Sequence, residues 1–204
     1  LLSLTLSDRE TTDYGVQCCG GEVTLMLESV RVVPSIAVFG MGHVGLELAR
    51  ILARQHLDLH LVDSRAAMLD AGRLGVGGEP GPLADAVARV QVYHAPVPEA
   101  VLAEVPEGTH VLVMTHDHAE DLAVVDQALR TPGVASIGLI CSRSKCARFR
   151  ARPRDAGHDE AALARVTTPI GLPDIGGKQP ATIAVSVAAS LLQLIEVKLS
   201  GTSS

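Results

Sequence analysis

The chain has 204 residues, 47% hydrophobic and 20% charged, with a formal net charge of −6. That length suits one main domain with an appendage, and the hydrophobic share allows a sizeable core. The acidic balance and an aromatic content of only 2% exclude nucleic acid as the main partner.

With no Trp and so few aromatics, the core must be Val, Leu, Ile and Ala, the usual filling of a parallel sheet covered on both faces. The cysteines are Cys18, Cys19, Cys141 and Cys146, and no C-x-x-C occurs. This is neither a disulfide framework nor a zinc-ribbon spacing, and it fits a reducing, cytoplasmic setting. No signal peptide is visible, and the first residue is Leu, so the true start is expected upstream. The most apolar segment, Thr182 to Ile195, is interrupted by Ser186, Ser190 and Gln193. It is shorter than the roughly 20 residues of a membrane span, so it reads as a buried helix and no membrane partner is expected.

In chain order, residues 1 to 17 read as a polar loop. Gln17-Cys-Cys-Gly-Gly-Glu22 follows, and then Val23 to Glu28 alternates as a half-buried strand would. Pro34 ends this lead-in. The apolar run Ile36 to Phe39 stops at Gly40, and Gly40, Gly42 and Gly45 stand at the spacing G-x-G-x-x-G. Val44, Leu48, Ile51 and Leu52 then recur at helical intervals. This predicts strand, tight turn and helix. Gly40 makes the turn, Gly42 leaves room for a phosphate at the helix N-terminus, and Gly45 lets the helix pack closely on the strand. A second strand, Leu57 to Val62, ends at Asp63, about 20 residues past the glycines, where an acid can accept from a ribose hydroxyl.

Ala66 to Leu74 reads as a helix. Gly75 to Pro82, with four glycines and two prolines, reads as a flexible loop, either a cover for a ligand or a surface insertion. A third strand runs from Arg89 to Tyr93, and a fourth from His110 to Met114, leading into Thr115-His-Asp-His118. The next helix covers Ala119 to Arg130 and is stopped by Thr131-Pro-Gly133. A fifth strand, Ala135 to Ile140, ends at Cys141-Ser142-Arg143. A basic run carries Lys145, Arg148, Arg150, Arg152 and Arg154. Residues 158 to 165 form a short helix, and Thr167 to Leu172 and Asp174 to Lys178 are loops. Pro180 begins a last helix that reaches about Leu199. Strands alternating with helices predict a doubly wound parallel Rossmann-type sheet with a short N-terminal β/loop appendage. The boundary falls between residues 1–33 and 34–204.

In such sheets ligands sit beyond the carboxyl ends of the strands. The Gly40 loop, Asp63, Thr115-His116-Asp117-His118 and Ser142-Arg143 should converge there. His116 and His118 would share a strand face, and with Asp117 and Asp121 nearby a metal is conceivable, but no third ligand has a tell-tale spacing, and capping of the next helix by Asp117 or His118 is the favoured reading. Cys141 is a candidate nucleophile or a small buried residue. Cys18 and Cys19, before a glycine pair, could hold a soft metal or simply open a strand. The basic run is a solvated helix face or a phosphate contact.

Gln17-Cys-Cys-Gly-Gly21, Val38-Phe-Gly-Met-Gly-His-Val-Gly45, Thr115-His-Asp-His118, Gly138-Leu-Ile-Cys-Ser-Arg143, Pro169-Ile-Gly-Leu172 and Asp174-Ile-Gly-Gly-Lys-Gln-Pro-Ala-Thr-Ile-Ala-Val-Ser-Val187 occur in that order. Together they resemble the XdhC/CoxI xanthine dehydrogenase accessory proteins. The resemblance implies a maturation factor that binds molybdenum cofactor (molybdopterin) and supports its sulfuration with a cysteine desulfurase. Such a factor then delivers the cofactor to apo-xanthine dehydrogenase. It implies Cys18 and Cys19 as metal-facing ligands. It implies Gly40, Gly42, His43 and Gly45 as the family's nucleotide-type loop, and with Val44 and the residues read at the strand ends, Asp63, Thr115, His116, Asp117, Ser142 and Arg143, these make the candidate cofactor-binding set. Two departures stand out. Cys141 replaces a glycine of the family's Gly-Ser-Arg motif, and the family's N-terminal domain is longer than what precedes Cys18, which implies a truncated start. This reading favours a cofactor chaperone over a turnover enzyme, with a homodimer left open. The rival readings are an NAD(P)-dependent oxidoreductase and a nucleotide-sensing module. NAD or another nucleotide therefore stays beside molybdopterin as a candidate ligand.

Overall fold

The computed structural model describes residues 2–6, 21–26, 33–140 and 157–201. The chain separates into two compact units, Leu1–Val32 and Val33–Ser204. In the first, β1 (Leu2–Leu6) pairs antiparallel with β2 (Gly21–Leu25). The expected polar loop over residues 1 to 17 is thereby corrected at its start. Leu2, Leu4 and Leu6 alternate with Ser3 and Thr5, the period of a strand.

The second unit is built on β3 (Ser35–Phe39), buried at all five positions. Ile36 and Val38 enter one core, and Ala37 and Phe39 enter the other. Being buried on both faces is why this strand reads as a continuous apolar run rather than an alternating one. After α1 (His43–Leu52) come β4 (Asp58–Asp63), a 3₁₀ turn at Ala66–Leu69, α2 (Ala71–Leu74) and β5 (Arg89–His94). A second 3₁₀ turn at Pro98–Ala103 precedes β6 (His110–Val113), α3 (His118–Arg130) and β7 (Ser136–Leu139). Last come α4 (Glu160–Ala164), β8 (Val166–Thr167) and α5 (Pro180–Gly201).

The six strands lie in the order β5-β4-β3-β6-β7-β8, all parallel. Leu48, Ala49 and Leu52 of α1 share a core with Ala184, Val187 and Leu191 of α5 on one face. Val124, Val125 and Ala128 of α3 cover the other face together with Val101 and Leu102 of the second 3₁₀ turn. The strand order reverses at β3, so the crevice beyond the carboxyl ends of β3 and β6 is the place for a ligand.

Three local expectations change. The single helix over Ala66 to Leu74 is broken at Asp70, whose extended backbone ends the 3₁₀ turn while its side chain accepts from Arg73 N and caps α2. The loop assigned from Thr167 loses its first residue to β8, which pairs with Ile137 and Gly138. The turn at Pro98–Ala103 was not expected from sequence. The glycine-rich loop closes on itself, because a side chain on Gly75 would overlap the backbone of Gly81. Leu83 N donates to Leu74 O at 2.8 Å just beyond it.

Candidate functional site

The glycine loop divides its labour as the spacing predicts. Gly40 has φ of +104°, and a Cβ there would overlap the Met114 carbonyl, so β3 and β6 approach as closely as they do only because it is glycine. A Cβ on Gly45 would overlap the Gly40 carbonyl, which is the close helix-on-turn packing expected of the third glycine. Around the Cβ position of Gly42 there is nothing within 4 Å. Gly42 is the N-cap of α1, makes no side-chain cap and has no acid in the turn after it. The orphan amides at that end are therefore open to an anion. His43 is exposed at the first helical position, while Val44 packs partly into the core.

Asp63 is placed at the end of β4 as expected, yet it is only 3% exposed. Its Oδ2 accepts from Met41 N at 2.7 Å and Arg65 Nη2 at 3.0 Å. Its Oδ1 accepts from the backbone N and the Nε of Arg65, each at 2.9 Å. Burial alone pushes this carboxyl up, but the Arg65 guanidinium and the Arg65 and Met41 amides more than reverse that and hold it below the usual range. Arg73 completes the frame, donating through Nη2 to Met41 O at 2.9 Å. Both ends of the Met41 residue are thus clamped by side chains, one from the end of β4 and one from α2.

Across the crevice, Thr115 N donates to Asp121 Oδ1 at 3.0 Å, and Thr115 Oγ1 lies 2.8 Å from the same oxygen. Burial pushes the Asp121 carboxyl up, against the Thr115 bonds. Asp117 accepts from Ala119 N at 2.6 Å and Glu120 N at 3.2 Å, so it caps α3, and those two amides hold its carboxyl low. His116 is exposed, with Nδ1 3.7 Å from Glu120 Oε2. Glu120 Oε1 accepts from Ser64 Oγ at 2.6 Å, tying the end of β4 to the first turn of α3. Among the described residues no group of three or more His, Cys, Asp or Glu is placed to hold a metal ion. Asp117, the centre of the conceivable His-Asp-His site, is engaged as a helix cap.

Gly40, Gly42, His43, Asp63, Thr115, His116 and Asp117 therefore lie along the carboxyl ends of β3, β4 and β6. Cys18, Cys19, Cys141, Ser142, Arg143 and the basic run from Lys145 to Arg154 lie outside the described residues. Sequence reasoning passed over Arg65, Arg73 and Glu120, and weighed Asp121 only as a neighbour of the conceivable metal site. Arg65 had a local signal, two residues after an acid that ends a strand. Arg73 had none, because its partner Met41 is 32 positions away.

A similar solved structure is a chain described as a xanthine dehydrogenase (BH1974) from Bacillus halodurans, with a TM-score of 0.61 and 21% identity. The match covers 81% of this chain and 43% of that one, and at this identity it speaks for the fold. In sequence, the chain is 28% identical over 176 residues to the uncharacterized protein YqeB of Escherichia coli (strain K12), covering 86% of this chain. It spans 30% of that relative's length. Among the described residues no helix is long and apolar enough to cross a membrane. The model of the XdhC Rossmann domain matches residues 36–191, from β3 into α5, and with that match over the sheet and its glycine loop the chain belongs to the XdhC family.

Proposed function

We propose that this chain is the Rossmann part of an accessory factor that binds molybdenum cofactor in the Gly40–Gly45 crevice and passes it to apo-xanthine dehydrogenase. The observation that carries the reading is the open space at Gly42 beside the uncapped start of α1, in a chain of the XdhC family. A phosphate fits there, because backbone amides and the helix dipole meet it with no side chain in the way. When bound, the cofactor would supply a pterin-held molybdenum centre to the client enzyme.

The chain's own residues hold and orient. Asp63 and Arg73 fix the Met41 peptide units, so the loop is set before a ligand arrives. Val44 anchors the first turn of α1 in the core. Exposed His43 and His116 are available to line the pterin, whereas Asp117 serves α3. Cys18 and Cys19, with a soft-ligand character suited to a sulfur-bearing metal, would face the molybdenum and support sulfuration by a cysteine desulfurase.

Analysis of the purified protein tests this. Pterin and molybdenum should copurify with it, and Gly42→Val should remove both while leaving the circular dichroism spectrum and Tm unchanged. A Cys18→Ala, Cys19→Ala double variant should lose molybdenum and the capacity to activate apo-xanthine dehydrogenase. A protein that carries nicotinamide or adenine nucleotide, and never pterin, would replace this reading with a dinucleotide-binding one.

A further inference from the structure

We infer that Arg65, rather than the acid at the end of β4, reads the ligand at that end of the crevice, and that it selects a phosphomonoester over a bare ribose diol. The inference rests on the crevice reading above and names the chemistry that crevice prefers. A carboxylate has about four lone-pair sites. On Asp63 four donors already occupy them: Met41 N, Arg65 N, Arg65 Nε and Arg65 Nη2, at 2.7 to 3.0 Å. The residue is 3% exposed. A ribose diol would have to displace either an amide of the glycine loop or the guanidinium, leaving a buried charge or donor unpaired. Asp63 is therefore a structural brace and not a free acceptor.

What faces outward in its place is the other side of Arg65. The guanidinium fork carries five N–H donors. The Asp63 carboxylate takes Nε–H and one Nη2–H and so fixes the plane of the group. Among the described residues no hydrogen bond takes the rest of the fork, and the side chain is 35% exposed. Nη2 lies 3.0 Å from the same oxygen that Met41 N reaches at 2.7 Å, so the fork adjoins the glycine loop. Glu120 is the nearby charge that could neutralise it. Its charge favours the Arg65 cation, but its two oxygens are turned to Ser64 Oγ at 2.6 Å and towards His116 Nδ1 at 3.7 Å, so it hydrogen-bonds none of the fork's remaining N–H groups. Arg73, bound to Met41 O, adds a second positive charge behind the loop. A planar fork with its orientation fixed matches the oxygens of a phosphomonoester.

That group could arrive as the 2′-phosphate of a dinucleotide or as the terminal phosphate of a pterin side chain. Two pairs of probes distinguish them by calorimetric titration of the whole chain at fixed ionic strength. One pair is NADP⁺ against NAD⁺. The other is an oxidised, fluorescent molybdopterin derivative against its phosphatase-treated form. The phosphorylated member of at least one pair should bind about ten-fold tighter or more, and Arg65→Gln should bring the two members within about two-fold. Arg65→Lys, which keeps the charge without the fork, should restore only part of the preference. The wild-type NADP⁺/NAD⁺ ratio needs no variant, because both members carry the pyrophosphate that the glycine loop meets, so an unstable Arg65 substitution does not remove the test. Binding that depends on Gly42 but keeps its phosphate preference in Arg65→Gln, or is tighter for NAD⁺ than NADP⁺, overturns the role of Arg65 and leaves the crevice standing. Binding of neither pair, or binding indifferent to Gly42→Val, overturns both.

Discussion

The amide of Met41 donates to Oδ2 of Asp63 at 2.7 Å, which makes the carboxylate at the end of β4 part of the glycine loop. The neighbouring ladder supports the same junction, since Gly40 N donates to Val62 O at 2.8 Å and Met114 N to Phe39 O at 2.8 Å. Three parallel strands therefore end in register on one loop, whose central residue is clamped at its amide by Asp63 and at its carbonyl by Arg73. A preset loop spends no ligand affinity on its own ordering.

Asp63→Asn tests the brace. The amide would turn a donor towards Met41 N or Arg65 and lose the ion pair, at a cost of about 2–3 kcal/mol. The folded-state carboxyl lies below its ordinary value, so its contribution is fully present above the unfolded pKa, near about 3.9, and is lost as pH falls through the folded one. The gap in urea stability between wild type and variant should be steady from neutral to about pH 5 and close below it. A gap that persists undiminished at about pH 3 would show that the lost stability came from packing and not from the charge.

The glycines should separate by substitution. Gly45→Ala puts a methyl group into the Gly40 carbonyl, and since both partners are backbone nothing soft can yield. We expect a loss of about 2–4 kcal/mol. Gly42→Ala meets nothing and sits at a negative φ, so stability should stay within about 1 kcal/mol while phosphate-bearing ligands weaken. Equal destabilisation of the two variants in thermal melts would contradict the division of roles.

Much of this was legible in the sequence because it is local. The apolar run into Gly40 and the three glycines sit in one strand–turn–helix unit, the acid ends the next strand, and the structure keeps them there. Position was legible, but partnership was not. The spacing put Asp63 at the crevice without revealing that Arg65 and Met41 would take both its oxygens. The break at Asp70 was masked by the good helix formers on either side, Ala66 to Leu69 and Ala71, Arg73 and Leu74, although Asp70 and Gly72 are weak ones, and the cap from Asp70 to Arg73 N separates the two turns. β8 has two residues, and its pairing with Ile137 and Gly138 is nonlocal, so no periodicity could announce it. The strand Leu2–Leu6 did carry an alternating signal, which the polar stretch after it masked.

Asp117 offers a test of cap against metal ligand. Its carboxylate holds the amides of Ala119 and Glu120, and these keep it ionised into acid. Asp117→Ala should lower Tm by a few degrees, and Asp117→Asn should recover most of the loss, since Asn also caps well. The wild-type advantage over Ala should be present above the ordinary aspartate range and fade as pH falls through the lowered folded value. Stoichiometric Zn²⁺ should leave the wild-type Tm unchanged. A rise that disappears in Asp117→Asn would return the His116-Asp117-His118 stretch to the metal ligands.

Ser186 gives the last prediction. In sequence it is one of the polar residues that interrupt the apolar stretch of α5, and its position alone assigns it no task. In the structure it is 6% exposed, and its Oγ accepts from Leu172 N at 2.8 Å and lies 3.2 Å from Leu172 O. It thereby holds the Pro169-Ile-Gly-Leu172 turn against α5, next to the end of β7, where Ile170 N donates to Leu139 O at 3.1 Å. Gly171 makes that approach possible: its φ is +107°, and a Cβ there would stand 2.6 Å from Ser186 Oγ. Ser186→Ala leaves the half-buried Leu172 amide without its partner and should cost about 1–2 kcal/mol. Gly171→Ala should cost at least as much, through both the positive φ and the overlap. In the double variant the hydroxyl is gone, so the overlap is relieved while the backbone strain remains. The combined loss should therefore fall short of the sum of the single losses. Strict additivity in urea unfolding would mean that the two residues do not share this contact.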